Sequence, residues 1–394
     1  MPEGRPVRPR ERFLVFGSPL IEEAEILEVM DTLRSGWLGT GPKVHRFEEH
    51  FKAYKGSAHA AALSSCTAAL HLSLLASGVG EGDEVLVPAM TFCATANAVM
   101  HAGATPVMVD CDALTMNIDP AAAAAAITPR TRAMVPVHFA GRPCDMNALM
   151  ATAETHGLTV VEDCAHAIET EYHGRKAGTF GDMGCFSFYV TKNIITGEGG
   201  MVISESDEII NRIKVLGLHG MSKDAWGRFS DDGYRHYQVQ HVGYKYNMMD
   251  LQAAIGLHQL DRVERLWRRR EQVWQRYNEA LADLPLDLPA AVEPGTRHAY
   301  HLYTVLVREQ AAGVSRDQFL TGMQKQNIGV GVHYLSLAEH PVYQRRLKVK
   351  PEDYPNALAV GQRTVSLPLS ARLTDGDVDD VIEAARRVLE GGGA

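Results

Sequence analysis

The sequence predicts an α/β fold, in which helices cover both faces of a mostly parallel sheet and a smaller domain follows. Two observations lead to this prediction. Short apolar runs alternate with segments of helical period between residues 60 and 204, and nearly continuous apolar strands joined by crossover helices are typical of buried parallel sheets. This alternation stops near Asn247, where one long helical pattern begins.

Seven apolar runs are expected to form the strands of the large sheet. They are residues 60–63, 84–88, 106–110, 133–138, 159–163, 184–189 and 200–204. Helical patterns lie between most of them, for example at residues 67–76, 94–101 and 146–156. Many of these patterns follow Pro, Gly, Ser or Asp, which are typical of helix starts.

The C-terminal region begins with a helical pattern over residues 249–284 that ends in a proline-rich segment. Further strands are predicted at 301–307 and 328–333, and further helices at 315–325 and 375–389. We therefore expect a large domain over residues 1–255, which includes an N-terminal arm. A smaller α+β domain is expected over residues 256–394, with the long helix between the two.

Composition excludes several classes of protein. The 394 residues carry a net charge of −9, which does not favour binding to nucleic acid or anionic lipid. The basic segment 262–276 has the period of an amphipathic helix with a solvated face. No apolar run approaches the ~20 residues of a membrane span, and six cysteines are scattered without a CxxC pair. We expect a cytoplasmic protein with small-molecule partners.

Polar residues follow the predicted strands at the edge where ligands bind in open α/β sheets. Ser65, Cys66 and Thr67 begin a helix, and this segment is either a phosphate-binding cup or a plain N-terminal cap. Phe92 follows the next strand, where a single aromatic residue is more often part of the core than of a binding site.

The segment EDCAHA offers three interpretations for its polar side chains. Asp163 ends a buried strand, and a buried carboxylate requires a partner. Asp163, Cys164 and His166 could bind a metal, although their spacing does not match a familiar zinc site. Asp163 could instead cap local backbone, or it could bind a protonated ring nitrogen of a cofactor while His166 donates to another ring substituent.

Lys192 follows an apolar run in FSFYVTKNIITGEGG. A lysine at a strand end is usually solvated, but burial beside this run would lower its pKa and make the amine nucleophilic. An amine, an acid partner, an aromatic face and an anion cup are together what pyridoxal 5'-phosphate (PLP) requires. The combination therefore predicts a PLP site.

Longer motifs carry a resemblance to a known family. They are SGWLGTGPKVHRFEEHF, SCTAALHL, PAMTFCATANAV, VDCDALTMNIDP, PVHFAGRPCDM, VVEDCAHAIETEYHGRKAG, FSFYVTKNIITGEGGM, GYKYNMMDLQAAIGLHQL and SLPLSARLTDGDVDDVI. Over nearly its full length the chain resembles the DegT/DnrJ/EryC1/StrS family, the PLP-dependent nucleotide-sugar aminotransferases of fold type I. This resemblance implies a mostly parallel seven-stranded sheet flanked by helices, with a smaller C-terminal α+β domain.

The resemblance also implies roles for individual residues around the cofactor ring. Lys192 would bind the cofactor covalently and then move a proton, and Asp163 would pair with the ring nitrogen. His166 would contact the 3'-oxygen, where many relatives have glutamine. Phe92 would stack on the ring.

For the cofactor phosphate, the resemblance implies a cup formed by one subunit and completed by another. The cup residues would be Ser65, Cys66, Thr67 and Ser187. Cys66 departs from the glycine or other small residue that relatives often have, but its backbone N–H remains available. Asn247 would reach the phosphate of the neighbouring subunit, so the resemblance implies a homodimer with shared active sites.

The implied substrates are an amino acid donor, with glutamate expected, and a keto sugar. Trp37, Leu38, His333 and Tyr334 fall where relatives line the sugar pocket. GYKYNMMD and SGWLGTGP are closest to enzymes that aminate 4-keto sugars linked to UDP. Amination of a keto-cyclitol and a non-catalytic binding role remain alternatives. A PLP-dependent sugar dehydratase is disfavoured, because dehydrating relatives replace the lysine with histidine. No metal is expected.

Overall fold

A computed structural model describes residues 10–221 and 237–390 of the chain. Residues 1–9 of the predicted N-terminal arm lie outside this description. The helices in the described ranges are α1 (Glu23–Ser35), α2 (Pro42–Lys55), α3 (Cys66–Ala76), α4 (Cys93–His101), α5 (Pro120–Ala125), α6 (Met146–His156), α7 (Asp207–Gly217), α8 (Asp250–Asp261), α9 (Val263–Ala280), α10 (Glu309–Ala312), α11 (Arg316–Lys325), α12 (Pro341–Leu347), α13 (Pro355–Arg363) and α14 (Asp375–Glu390). The strands are β1 (His59–Leu63), β2 (Glu84–Pro88), β3 (Thr105–Val109), β4 (Thr131–Met134), β5 (Thr159–Asp163), β6 (Glu171–Tyr172), β7 (Arg175–Lys176), β8 (Met183–Ser187), β9 (Gly200–Ser204), β10 (Leu286–Asp287), β11 (Thr296–Arg297), β12 (Tyr303–Val307) and β13 (Thr364–Leu367).

Seven strands form the central sheet, in the order β1-β9-β8-β5-β4-β2-β3. β9 pairs antiparallel with β1 and β8, and the remaining pairs are parallel. Every residue of β2, β8 and β9 is buried, as expected for strands covered on both faces. The predicted mostly parallel sheet of seven strands is confirmed.

Alternate side chains of the sheet enter cores on its two faces, because successive residues of a strand point in opposite directions. Val161 and Cys185 pack with α3 on one face. Phe186 packs with α2 and α8 on the other face, where its ring lies 4.9 Å from that of Phe51. The helices therefore hold β5 and β8 in place from both sides, and these are the strands that lead to Asp163 and Lys192.

The helical pattern at 249–284 forms two helices, and the prediction of one long helix is wrong. The backbone bends at Arg262, between α8 and α9. The Arg262 guanidinium donates hydrogen bonds to Glu22 and Glu25 at the start of α1. This contact is between residues far apart in the chain, so helical periodicity could not reveal it.

The predicted strand at 328–333 is also absent from the described part of the chain. Ile328 forms an isolated bridge with Leu14, and Gly331 forms another with Ser366. The segment passes between two different neighbours, so it makes no continuous ladder with either. The predicted strand at 133–138 is shorter than expected, because β4 ends at Met134.

The C-terminal region contains a small antiparallel sheet in the order β10-β12-β13. Residues of α9, α11 and α14 cover it and form a second core. A third sheet, β11-β6-β7, joins this region to the loop after β5. Residue 255, the predicted domain boundary, lies within α8, and the division into two domains stays a prediction. In the described ranges, no helix has the length and apolar character needed to span a membrane.

Candidate active site

A cavity of about 360 Å³ opens at the carboxyl ends of β1, β5 and β8. Ten of the residues predicted for the site line it together. They are Ser65, Cys66, Thr67, Phe92, Asp163, His166, Ser187, Lys192, His333 and Tyr334. Parallel strands end at one edge of a sheet, so residues distant in the sequence meet there.

Lys192 lies in the turn after β8, where its backbone N–H donates to the carbonyl of Tyr189 at 2.8 Å. Burial lowers the pKa of its amine from 10.5 to about 8, although Cys66 and Asp163 oppose this change. Among the described residues, the Lys192 ammonium has no hydrogen-bond or ion-pair partner. An unpaired amine at a cavity is suited to covalent bonding with a ligand.

Asp163 ends β5 with its side chain 4% exposed. Burial raises the pKa of this carboxyl group, while hydrogen bonds from Ala165 N–H and the Thr95 hydroxyl lower it. The Thr95 hydroxyl donates to Oδ2 at 2.9 Å, and Ala165 N–H donates to Oδ1 at 3.1 Å. A buried carboxylate with so few donors can accept a further hydrogen bond from a cationic ligand.

The ring of His166 is buried and has one defined tautomer. The N–H of Ala140 donates to Nδ1 at 3.2 Å, so the proton of the neutral ring is on Nε2. Nε2 lies 3.2 Å from the Tyr334 hydroxyl. Burial lowers the pKa of His166 well below its usual value, and Lys192 adds to the effect. His166 is therefore a neutral hydrogen-bond donor at the cavity.

The N-terminus of α3 forms one wall of the cavity. The Ser65 hydroxyl accepts from Ala68 N–H at 3.1 Å and caps the helix. The cap leaves the N–H groups of Cys66 and Thr67 free of helical partners, and such groups attract anions. β9 runs close to this turn, because a Cβ at Gly200 would lie 2.4 Å from the carbonyl carbon of Ser65. Both the predicted cap and the predicted cup are therefore compatible with the structure.

Aromatic residues also line the cavity. Phe92 is 55% exposed, and its ring centroid lies 5.7 Å from that of Tyr334. Phe92 is therefore not part of the core at this position, and its ring lines the cavity. A planar ligand could stack against it.

Three of the predicted residues lie elsewhere in the chain. Trp37 and Asn247 line a separate cavity of about 500 Å³ between α2 and α7. The Asn247 amide donates to the Thr40 hydroxyl at 2.6 Å. Leu38 is 41% exposed and lines neither cavity. A single chain therefore does not bring these residues to Lys192.

The metal interpretation of the EDCAHA segment is not supported by the described residues. The group that is close enough to hold an ion consists of His138, Glu162 and Cys164. Glu162 already accepts from His138 and from three backbone N–H groups, at Gly178, Phe180 and Gly181. Asp163 and His166 are not members of that group.

Similarity to known proteins agrees with this geometry. A family model for DegT/DnrJ/EryC1/StrS aminotransferases matches residues 19–386. The chain belongs to this family.

Proteins with similar sequence or structure match almost the whole chain. The spore coat polysaccharide biosynthesis protein SpsC of Bacillus subtilis is 50% identical over 386 residues, which are 98% of this chain and 99% of that protein. Spr1654 from Streptococcus pneumoniae in its PLP form is 34% identical, with a TM-score of 0.89 over 96% of this chain and 99% of that one. DesI, solved in the presence of its TDP-sugar product, is 32% identical, with a TM-score of 0.86 over 98% and 95% of the two chains.

The protein is therefore a PLP-dependent aminotransferase of a family that acts on sugars. The cavity residues fit PLP. The unpaired amine is suited to the aldehyde of the cofactor, and the buried carboxylate is suited to its ring nitrogen. The free N–H groups at a helix N-terminus are suited to its phosphate. The predictions of family, fold, enzyme class and cofactor are confirmed.

Sequence reasoning missed two kinds of site residue. Thr95 orients the Asp163 carboxylate from α4, 68 residues earlier in the chain. His301 lies with its ring centroid 4.6 Å from that of His166. A threonine inside a helix and a histidine before a strand carry no local signal that separates them from core residues.

Proposed function

We propose that the enzyme transfers an amino group from an amino acid, with L-glutamate as the expected donor, to a 4-keto sugar linked to a nucleotide. The observation that carries the proposal is that the unpaired Lys192 amine shares one cavity with the buried Asp163 carboxylate. The reaction belongs to polysaccharide or natural-product biosynthesis.

Lys192 is proposed to hold the cofactor covalently and then to move the proton of the reaction. When bound, PLP supplies an electron-withdrawing ring that makes the α-hydrogen of an amino acid acidic. Because burial lowers its pKa to about 8, the Lys192 amine can accept that proton at neutral pH and return it at another carbon. Asp163 keeps the ring nitrogen protonated, since the low-polarity site strengthens their charge-assisted hydrogen bond.

The phosphate would be held by groups that surround the start of α3. The N–H groups of Cys66 and Thr67, with the hydroxyls of Thr67 and Ser187, are proposed as donors. Ser187 is buried at the end of β8 and lines the same cavity. The Ser65 hydroxyl, already engaged as the helix cap, would shape the cup without contacting the phosphate directly.

One relative supports a nucleotide-linked sugar, and another supports a role in polysaccharide biosynthesis. DesI was solved with a TDP-sugar product, and SpsC takes its name from polysaccharide biosynthesis. His333 and Tyr334 line the Lys192 cavity and would contact the sugar. Trp37 and Leu38 would contribute from a neighbouring subunit.

A homodimer with shared sites is part of the proposal. Residues Ile26, Leu27, Met30 and Leu33 of α1 are 38–55% exposed, although they are large and apolar. Such a patch on a helix is typical of a protein interface. Asn247 and Trp37 lie outside the Lys192 cavity of their own chain, as expected for residues that complete a neighbouring site.

The test compares sugar acceptors and the catalytic lysine. Purified enzyme with PLP is incubated with glutamate and either nucleotide-linked 4-keto sugars or a keto-cyclitol, and 2-oxoglutarate is measured. We expect turnover with the nucleotide sugars, and turnover with the cyclitol alone would overturn the proposed acceptor. Borohydride reduction followed by peptide mapping should place the cofactor on Lys192. Lys192→Ala should lower turnover by at least ~10²-fold, which is the lower end of the range expected for loss of a proton-transfer group.

A further inference from the structure

A chain of buried hydrogen bonds connects the residue after Lys192 to helix α9. The Asn193 amide donates to Glu169 Oε2 at 2.8 Å and to the carbonyl of Ala299 at 2.9 Å. Glu169 also accepts from Arg270 of α9 in an ion pair. On the other side, Asn193 Oδ1 lies 2.9 Å from Nδ1 of His301. All residues that take part in these hydrogen bonds are at most 8% exposed.

The partners fix the direction of every hydrogen bond in the chain. Both protons of the Asn193 amide go to groups that only accept, a carboxylate and a carbonyl. Oδ1 must therefore face His301, and Nδ1 of His301 must be the donor. The hydrogen bond to Glu169 fixes the orientation of the Asn193 amide, and the amide in turn fixes the orientation of His301. The amide also separates the negative charge of Glu169 from the imidazole.

His301 packs on the ring that is proposed to contact the cofactor. Its centroid lies 4.6 Å from that of His166, with an angle of 34° between the planes. Burial lowers the pKa of both rings well below their usual values. The other charged or titratable groups that face His301 are Lys192, His333, Arg270 and His298. A positive charge on His301 would be repelled by both Lys192 and Arg270.

We propose that Asn193 and His301 are positioning residues, in which the Asn193 amide holds His301 as a neutral Nδ1–H imidazole that supports His166. The proposal rests on the proposed contact of His166 with PLP. If a carboxylate replaced the amide, the oxygen that faces His301 would accept the same proton and favour the imidazolium form, while the other oxygen would lose the two hydrogen bonds that the amide donates to Glu169 and Ala299. The positive charge on His301 would then perturb the adjacent ring of His166 and weaken cofactor binding.

The test uses Asn193→Asp and Asn193→Ala, with His298→Phe as a matched control. His298 is a buried histidine of the same segment that packs on Trp274 and Tyr300. Cofactor-free protein labelled with ¹⁵N-histidine reports the protonation of His301, assigned by its loss in His301→Gln. PLP affinity is then measured by fluorescence between pH 7 and 9, after circular dichroism has shown that each variant is folded.

We expect a cationic His301 in Asn193→Asp at pH 7 and a neutral His301 in the wild type. Both Asn193 variants should bind PLP about 10-fold more weakly at pH 7, the loss expected for one buried hydrogen bond. Asn193→Asp alone should regain affinity as pH rises and His301 loses its proton. His298→Phe should keep wild-type affinity.

Wild-type PLP affinity in both Asn193 variants, or equal loss of affinity in His298→Phe, would overturn the proposal. If Asn193→Asp does not fold, an Asn193→Ala variant with wild-type affinity overturns it as well. Failure of the wild type to bind PLP would count against the proposed function instead, because the NMR measurement on cofactor-free protein does not depend on it.

Discussion

At the scale of single residues, burial controls how Lys192 reacts. With a pKa of about 8 instead of 10.5, roughly one amine in ten is neutral at pH 7, which is about 300 times the fraction of a solvated lysine. The neutral amine is the form that bonds to an aldehyde. The same burial makes the cofactor-free protein less stable, because the folded state holds a poorly solvated cation at pH 7.

Lys192→Met is expected to stabilise the cofactor-free protein. Between pH 8 and 10.5 the unfolded chain binds more protons at this position than the folded chain, so wild-type stability rises with pH through that window. Below pH 8 the buried Lys192 ammonium destabilises the folded state by its full amount. Replacing it with methionine should therefore raise the free energy of unfolding by roughly 1–3 kcal/mol. Urea unfolding at pH 7 and pH 10 measures this, and the gain should be smaller at pH 10.

The control for this prediction is Lys325→Met, at an exposed position of α11. It should leave the free energy of unfolding unchanged at both pH values. A Lys192→Met variant that is no more stable than wild type at pH 7, or whose gain grows towards pH 10, would contradict a lowered pKa at Lys192.

Thr95→Val is expected to weaken cofactor binding through Asp163. The variant keeps the shape of the side chain but removes the hydroxyl that donates to Oδ2 at 2.9 Å. The loss raises the pKa of Asp163 further and weakens its hold on a protonated ring nitrogen. PLP affinity, measured by fluorescence quenching, should fall about 5- to 30-fold for a loss of 1–2 kcal/mol.

Thr91→Val is the matched control for Thr95→Val. The Thr91 hydroxyl lies 2.9 Å from that of Thr95, and it is the Thr95 hydroxyl that contacts the Asp163 carboxylate. Thr91→Val therefore removes a hydroxyl one hydrogen bond further from Asp163. Its PLP affinity should stay within about 2-fold of wild type. Equal losses in the two variants would mean that Thr95 acts through packing and not through Asp163.

The site residues that could be predicted from sequence are those that follow strands. Lys192 and Asp163 come directly after or at the end of apolar runs, and the edge of a parallel sheet brings such positions together. Thr95 contacts Asp163 from a helix interior, and His301 packs on His166 from a distant segment. Their positions depend on tertiary packing, which one sequence does not encode locally.

At the scale of elements, the contact between β9 and the N-terminus of α3 shapes the proposed phosphate cup. Gly200 is required there, because a Cβ would lie 2.4 Å from the Ser65 carbonyl carbon. Gly200→Ala should push the start of α3 away and lower PLP affinity about 5- to 150-fold, since overpacking costs about 1–3 kcal/mol. Titration of cofactor-free protein with PLP measures the loss.

Gly80→Ala provides the comparison for Gly200→Ala. A Cβ at Gly80 would meet no atom within 4 Å, so affinity and melting temperature should stay at wild-type values. If Gly200→Ala lowers the melting temperature while PLP affinity remains unchanged, the close approach serves the sheet and not the cup.

Helices and strands could be predicted from the sequence where a single local pattern of apolar residues determines them. Six of the seven strands of the central sheet coincide with the predicted apolar runs, β4 shares only residues 133 and 134 with its run, and α14 follows its own amphipathic period. The bend at Arg262 and the missing strand at 328–333 were not predictable, because ion pairs with Glu22 and Glu25 and a bridge to Leu14 decide them. These contacts link segments more than 200 residues apart.

At the scale of the whole molecule, the proposed site is incomplete in one chain. Lys192 and Asn247 line different cavities, and the exposed apolar residues of α1 mark a surface that a second copy could cover. A two-fold interface places the same surface of both chains in contact, so each chain could complete the site of the other. Size-exclusion chromatography with light scattering should then give twice the chain mass.

Hybrid dimers test whether the sites are shared. Lys192→Ala and Asn247→Ala are each expected to be inactive alone, since each removes one essential group from both sites. After subunit exchange, half of the dimers are mixed, and one of their two sites combines an intact Lys192 with an intact Asn247 from the other chain. Activity should therefore return to roughly a quarter of wild type. Mixing Lys192→Ala with the double variant should restore none, because no site then holds the lysine. If mass spectrometry shows mixed dimers and activity stays absent, Asn247 acts within its own chain or not at all, and the shared site is wrong.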